Sequence, residues 1–173
     1  MTSQLHDEFL AATLPSLDLV YNLARRIATD PARVDDLVQE TYANAFQAWG
    51  KGRRPQKIEG WLATIVLNLG RSLWRKASTR LEQPVENIPE HARTTDVEEE
   101  ALAALRRRSV HEALWELPEE QRIAVALMDL MGFTTPEIAR ITAAPRGTVL
   151  SRIHRGRKKL ALLLEDTVTI HET

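Results

Sequence analysis

Between Phe133 and Leu160 the parts of a helix-turn-helix follow one another without a gap. Thr134 is placed to cap a helix through its hydroxyl, and Glu137 three residues later completes a capping box. Ile138, Ala139 and Ile141 give a short helix, Thr142-Ala143-Ala144 the turn, and Pro145-Arg146-Gly147 the start of a second helix. Val149, Ile153, Gly156 and Leu160 recur along one side of that helix, and small Ala139 and Gly156 allow close helix contact. A short helix, a tight turn and a longer basic helix define a motif whose second helix enters the major groove of DNA by its N-terminal part. Its exposed side is expected to carry Arg146, Thr148, Leu150, Ser151, Arg155 and Lys158, flanked by Arg152 and His154. Arginine donates forked hydrogen bonds to guanine or a charge-assisted bond to phosphate, and threonine and leucine meet a thymine methyl. Arg157, Lys158 and Lys159 suit phosphate or solvent. A merely solvated basic helix side is the plain alternative, and the coincidence of turn, cap and basic run argues against it.

The rest of the chain points to the same fold class. Leu19, Leu23 and Ile27, with Val20 and Ala24, predict a helix over 16–29. Asp30-Pro31 predicts the cap and first position of the next, which runs to Trp49 on Val34, Leu37, Val38, Tyr42, Ala45, Phe46 and Trp49. Gly50-Lys51-Gly52 stops it, and the Pro55-containing stretch through Gly60 reads as a basic loop. Trp61 to Lys76 is a third helical segment, with Trp61, Ile65, Asn68, Leu69 and Leu73 at helical spacing and Trp61 expected in the core. Its opposite side is expected to hold Asn68, Arg71, Ser72 and Arg75. Residues 81–97 contain Pro84 and Pro89 and no apolar period, and Glu98 is the expected start of a helix that runs on past Leu105 to Leu117. Pro118 opens another to Leu130, with Ile123, Val125, Leu127 and Leu130 as core candidates. The expectation is an all-α protein of two small helical domains, 10–80 and 105–165, joined by a flexible acidic linker over 81–104.

The net charge of −1 hides a strong segregation. Residues 51–80 carry eight bases against Glu59, residues 81–100 carry seven acids against Arg93, and residues 138–164 carry seven bases and no acid. A phosphate backbone is attracted by each basic block locally, whatever the sum. The 173 residues include no cysteine, which excludes disulfides and thiolate zinc sites. Five scattered histidines suggest no metal motif, and no phosphate-cradling glycine loop or nucleophile elbow is present. No signal pattern and no apolar run of spanning length occurs. These observations favour a cytoplasmic binding protein without catalytic residues, cofactor, metal, small-molecule substrate or membrane insertion.

Leu130-Met131-Gly132-Phe133-Thr134-Thr135-Pro136-Glu137-Ile138-Ala139 and Gly147-Thr148-Val149-Leu150-Ser151-Arg152-Ile153-His154-Arg155-Gly156-Arg157-Lys158-Lys159-Leu160 resemble region 4 of the group IV, extracytoplasmic-function sigma factors of bacterial RNA polymerase. Ala113-Leu114-Trp115-Glu116-Leu117-Pro118-Glu119-Glu120-Gln121-Arg122 fits the same region. Asp35-Asp36-Leu37-Val38-Gln39-Glu40-Thr41-Tyr42 resembles the polymerase-binding motif of region 2, and Gly60-Trp61-Leu62-Ala63-Thr64-Ile65-Val66-Leu67-Asn68-Leu69 the segment after it. The similarity covers roughly residues 10–80 and 105–162. It implies that Asp35, Asp36, Gln39 and Glu40 engage the clamp of core polymerase. It implies that Arg53, Arg54, Lys57, Asn68, Arg71, Arg75 and Lys76 address the melted promoter element, where family members trap an extruded base. It implies that Arg146, Thr148, Leu150, Ser151, Arg152, Arg155 and Lys158 bind the upstream duplex element. Core RNA polymerase and promoter DNA are the implied partners, with an anti-sigma factor as restraint. The chain departs from the family pattern at Ser72, often Asp; at Ala143, commonly glycine; at Leu150, often basic; and in a loop without the usual phenylalanine before Trp61-Leu62. The competing expectation is a helix-turn-helix regulator that works without polymerase, which leaves the Asp35–Tyr42 motif unexplained.

Overall fold

A computed structural model of the chain describes residues 2–28, 30–78 and 110–170, and every regular element among them is helical. Two compact units result. The first holds α1 (Thr2–Thr13), α2 (Leu17–Ile27), α3 (Val34–Gly50) and α4 (Ile58–Ser78), with the segment Pro136–Ala144. The second holds α5, described over residues 110–115, then α6 (Glu119–Val125) and a π-helical turn (Ala126–Leu130). The expected helix-turn-helix is α7 (Thr135–Thr142) followed by α8 (Arg146–Ile170), the latter in the second unit. The expected linker 81–104, with the helix onset at Glu98, lies outside the described residues.

In the first unit, local chemistry sets the helix ends. Asp30 Oδ1 accepts the Ala32 amide at 2.9 Å, and Pro31 opens a 3-10 turn that leads into α3. At the other end the Gly52 amide donates to the Trp49 carbonyl (2.9 Å) and the Arg53 amide to that of Ala48 (3.0 Å), with Gly52 at φ +87°. This is a Schellman ending, whose left-handed residue favours glycine. Along α3 the buried residues are Val34, Leu37, Thr41, Ala45 and Trp49, at helical spacing. Thr41 is the polar member, and its hydroxyl is satisfied by donating to the Leu37 carbonyl at 2.7 Å.

Helix α1 was not foreseen. Its Phe9 is only 3% exposed and meets Phe46, Trp49 and Tyr42 edge-on at 5.2, 5.7 and 6.3 Å between ring centres. Burying such a side chain stabilises by roughly 1.5–3 kcal/mol. The Tyr42 hydroxyl donates to the Thr13 carbonyl at 3.0 Å and ties α3 to the end of α1. The first unit therefore takes in α1 along with the residues that resemble region 2.

Helix α4 corrects the sequence reading twice. It begins at Ile58, inside the stretch expected as loop, with the Trp61 amide donating to the Lys57 carbonyl at 3.2 Å. Its packed face is Leu62, Ala63, Val66, Leu67 and Gly70, whereas Trp61, Ile65 and Leu69 are half-buried and Asn68 is exposed. The cause is close approach. A Cβ on Gly70 would stand 2.1 Å from Ile27 Cγ2, so only glycine fits there, and that contact fixes which way the helix is turned. Trp61 lies tilted against Trp49 at 6.3 Å, at the edge of the core rather than within it.

In the second unit Leu114, Leu117 and Val125 form a core against which Leu160 and Leu163 of α8 pack. A Cβ on Gly156 would stand 2.7 Å from Val125 Cγ2, 3.3 Å from Leu117 Cδ2 and 3.4 Å from Gln121 Cβ, so α8 approaches α6 closely, as its small residue implied. Arg122 is 6% exposed and still well provided for. Its guanidinium lies 4.0 Å over the Trp115 ring and donates to the Leu117 carbonyl at 3.4 Å. Burial lowers its pKa from the ordinary value, and nearby Glu119 works against that shift. Leu130, expected in the core, is 48% exposed. The helix widens into the π turn that ends on it, with the Met131 amide reaching the Ala126 carbonyl five residues back at 3.1 Å, and the extra residue rotates Leu130 outward.

Candidate nucleic-acid interface

Asp35, Asp36, Gln39 and Glu40 are all exposed on α3, on the side away from buried Val34, Leu37 and Thr41. Their spacing places two adjacent pairs one turn apart, so one helix face presents three carboxylates and an amide. Asp35 and Asp36 lie in the first turn, where the helix dipole favours negative charge.

The basic residues before and along α4 are used unequally. Arg53 is exposed. Arg54 is exposed but folds back on the protein. Its guanidinium stacks 4.1 Å over Trp49, donates to the Trp49 carbonyl at 2.7 Å and pairs with Glu8 at 3.0 Å. That binds the loop to α3 and α1. Lys57, exposed, pairs with Glu137 within the same unit. Asn68 is exposed and Arg71 half-buried on α4. The side chains of Trp74, Arg75 and Lys76 lie outside the described ones.

On α8, Val149, Ile153 and Gly156 are buried. Arg146, Leu150, His154, Arg155 and Lys158 are exposed, and Thr148, Ser151 and Arg152 are half-buried. Ser151 donates to the Thr148 carbonyl at 2.9 Å and accepts from Arg155 Nη2 at 3.4 Å, which links the guanidinium to the helix surface. Three cations turn back to the protein instead. Arg152 pairs with Glu120 at 2.8 Å, and Lys159 Nζ donates to the Glu116 carbonyl at 2.6 Å. Arg157 grips Asp129 with both ends of its fork, Nε to Oδ2 at 2.9 Å, and this hydrogen bonding raises its pKa above the ordinary value. Arg157 and Lys159, expected to face phosphate or solvent, thus hold α8 to the rest of its unit. Sequence spacing carried no sign of these pairings, because Asp129 reaches its position through the π turn.

The turn before α8 strains one residue. The Ala144 amide donates to the Ala139 carbonyl (3.1 Å) and the Ala143 amide to that of Arg140 (3.4 Å), the same pattern that ends α3. Here the left-handed position is filled by Ala143, at φ +52°, the expected departure from glycine. Among the described residues no cluster of acidic and histidine side chains is arranged for a metal ion, and no helix is long and apolar enough to cross a membrane.

Residues 15–80 match the family described as sigma-70 region 2, and residues 107–160 match sigma-70, region 4. The chain is 34% identical over 164 residues to the ECF RNA polymerase sigma factor EcfG of Rhodopseudomonas palustris, covering 95% of this chain and 87% of that protein. It is 33% identical over 145 residues to the ECF RNA polymerase sigma factor SigM of Mycobacterium tuberculosis, covering 84% and 71%. Among solved structures it is similar to the sigma factor RpoE in complex with the anti-sigma factor NepR from Bartonella quintana, with a TM-score of 0.74 at 25% identity over 91% of this chain and 97% of that one.

Proposed function

The chain belongs to the extracytoplasmic-function sigma factors of the sigma-70 family and directs RNA polymerase to promoters, and we propose that it divides that work among α3, α4 and α8. The exposed face of Asp35, Asp36, Gln39 and Glu40 docks on a basic surface of the core polymerase clamp, where complementary charge sets orientation and rate. Arg53, Asn68 and Arg71, with Arg75 and Lys76 further along the helix, address the unpaired strand, whose extruded base needs compensation for lost stacking. Arg54 and Lys57 contribute there by holding the loop in place. Arg146, Arg155 and Lys158 meet the upstream duplex, with Thr148, Leu150, Ser151 and Arg152 beside them. The polymerase supplies the nucleotidyl-transfer chemistry, so the chain needs no catalytic group. It acts in the cytoplasm, and an anti-sigma factor that covers the α3 face and α8 restrains it.

One observation carries this reading: an acidic polymerase-type face and a basic duplex-type face are both outward in a chain that matches region 2 and region 4 in order. The test separates the two faces in the full chain. Asp36→Lys with Glu40→Lys should weaken core binding by roughly tenfold or more and leave duplex binding unchanged. Arg146→Ala with Arg155→Ala should weaken duplex binding by roughly tenfold or more and leave core binding unchanged. Thermal unfolding verifies the fold of each variant. Normal core binding by the α3 variant would support the rival reading, a regulator that works without polymerase.

A further inference from the structure

Leu150 is 51% exposed in the midst of polar and cationic neighbours. Arg146 and His154, four residues to either side, share its edge of α8 and are exposed. Gly147, one turn before it, is exposed too, and nothing lies within 4 Å of where its Cβ would be, so the helix surface beside Leu150 is open. On that same side, one turn after Gly147, Ser151 has spent its hydroxyl on Thr148 and Arg155. Two unlike probes therefore stand within a turn of each other, a guanidinium fork and a branched alkyl group.

A lone exposed leucine on a protein surface needs no explanation. Placed in a major groove, however, this one loses water against base edges. The groove edges of guanine, cytosine and adenine offer only hydrogen-bond donors and acceptors, and an alkyl group over them strips their water without returning a bond. The one apolar group the groove presents is the thymine 5-methyl.

We propose that Leu150 is a specificity-determining residue that packs against the 5-methyl group of one thymine in the upstream promoter duplex. A thymine·adenine pair is thereby preferred at that step over the other three. The inference rests on α8 being the duplex-reading helix.

The test exchanges single methyl groups. Holoenzyme assembled from the full chain and core polymerase selects duplexes from a randomised library, and the recovered sequence is remade with uracil for thymine, one position at a time. Uracil keeps every hydrogen-bonding group and lacks only the methyl. At one position uracil should lower affinity about three- to fivefold, the worth of one buried methyl-sized group. Leu150→Ala should bind thymine and uracil alike at that position and keep any discrimination elsewhere. Alanine suits an exposed helical position, so the variant keeps its fold. Uracil that is silent at every position, or discrimination that survives in Leu150→Ala, overturns the proposal. Arg146→Ala with Arg155→Ala, measured on the same duplexes, tells the two failures apart. If that variant keeps full affinity, the assignment of α8 falls and the inference with it. If it is weakened while uracil stays silent, only the inference about Leu150 falls.

Discussion

In α4, Gly70 faces Ile27, and in α8, Gly156 faces Val125, Leu117 and Gln121; in both helices a glycine decides which side is packed and so which side chains are left outward. The two helices differ in how their cations are employed. In α8 the basic run is divided along its length. Arg152, Arg157 and Lys159 bond to Glu120, Asp129 and the Glu116 carbonyl, while Arg146, Arg155 and Lys158 stay exposed. Before α4 the charge sits in a loop, where Arg54 covers Trp49 and Lys57 meets Glu137, and only Arg53 and Lys51 are exposed without a side-chain bond described above. The lesson is that a count of basic residues overstates the charge offered to DNA. Cations near a buried aromatic ring or an acid serve the fold first.

The comparison breaks most readily at the two glycines. Gly70→Ala should cost about 3 kcal/mol, because its new Cβ meets the Cγ2 of buried, β-branched Ile27 at 2.1 Å and that methyl cannot swing away. Gly156→Ala, at 2.7 Å from Val125 Cγ2, should cost about 1–2 kcal/mol. Denaturant unfolding of the full chain reads both. A smaller loss at Gly70 than at Gly156 would show that α2 yields where α6 does not. Adding Ile27→Ala to Gly70→Ala should cost less than the sum of the single changes, since it removes the clashing methyl.

A smaller effect, of opposite sign, is expected where α7 ends. Gly52 and Ala143 occupy the same position of the same hydrogen-bond pattern, one relaxed and one strained. Ala143→Gly should raise stability by about 0.5–1 kcal/mol, the relief of a left-handed alanine less the entropy that glycine adds to the unfolded chain. A lower unfolding midpoint would mean that the strain is absorbed elsewhere in the turn. The smallest effect belongs to the surface pair. Asp129→Asn should change stability by about 0.5 kcal/mol or less, as exposed ion pairs do. Its sharper readout is salt dependence. If the released Arg157 reaches a phosphate, the slope of log affinity against log salt should steepen by about 0.9. An unchanged slope would place Arg157 away from the DNA in every state.

What could be read in the sequence was local. The Asp30 cap, the stop at Gly52 and the turn at Thr142-Ala143-Ala144 each depend on a few adjacent residues, and each was legible. The exposed acidic face of α3 was legible for the same reason, since one helical period decides it. The rotation of α4 was not. Trp61, Leu62, Ala63, Ile65, Val66, Leu67 and Leu69 spread apolar side chains over about two thirds of the helix circumference, so periodicity left two faces possible and a contact with distant Ile27 chose between them. Phe9 was missed because a lone aromatic gives no period, and its partners Tyr42, Phe46 and Trp49 lie a helix and more away in sequence. Leu130 was misplaced because the apolar pattern assumes even winding, which the π turn interrupts.

That π turn has a consequence for the gene as well as for the protein. A regular helix has no residue to spare, and the loss of one codon swings every later side chain about 100° around the axis. Between Ala126 and Leu130 one residue already stands in excess of regular winding. A single-codon deletion there can close the turn into ordinary helix and leave α6 before it wound as before, with the non-helical residues 131–134 taking up the difference. What it would sacrifice is the placement of Asp129 opposite Arg157. This short stretch is thus a place in the second unit where chain length can drift by one while α6 before it persists.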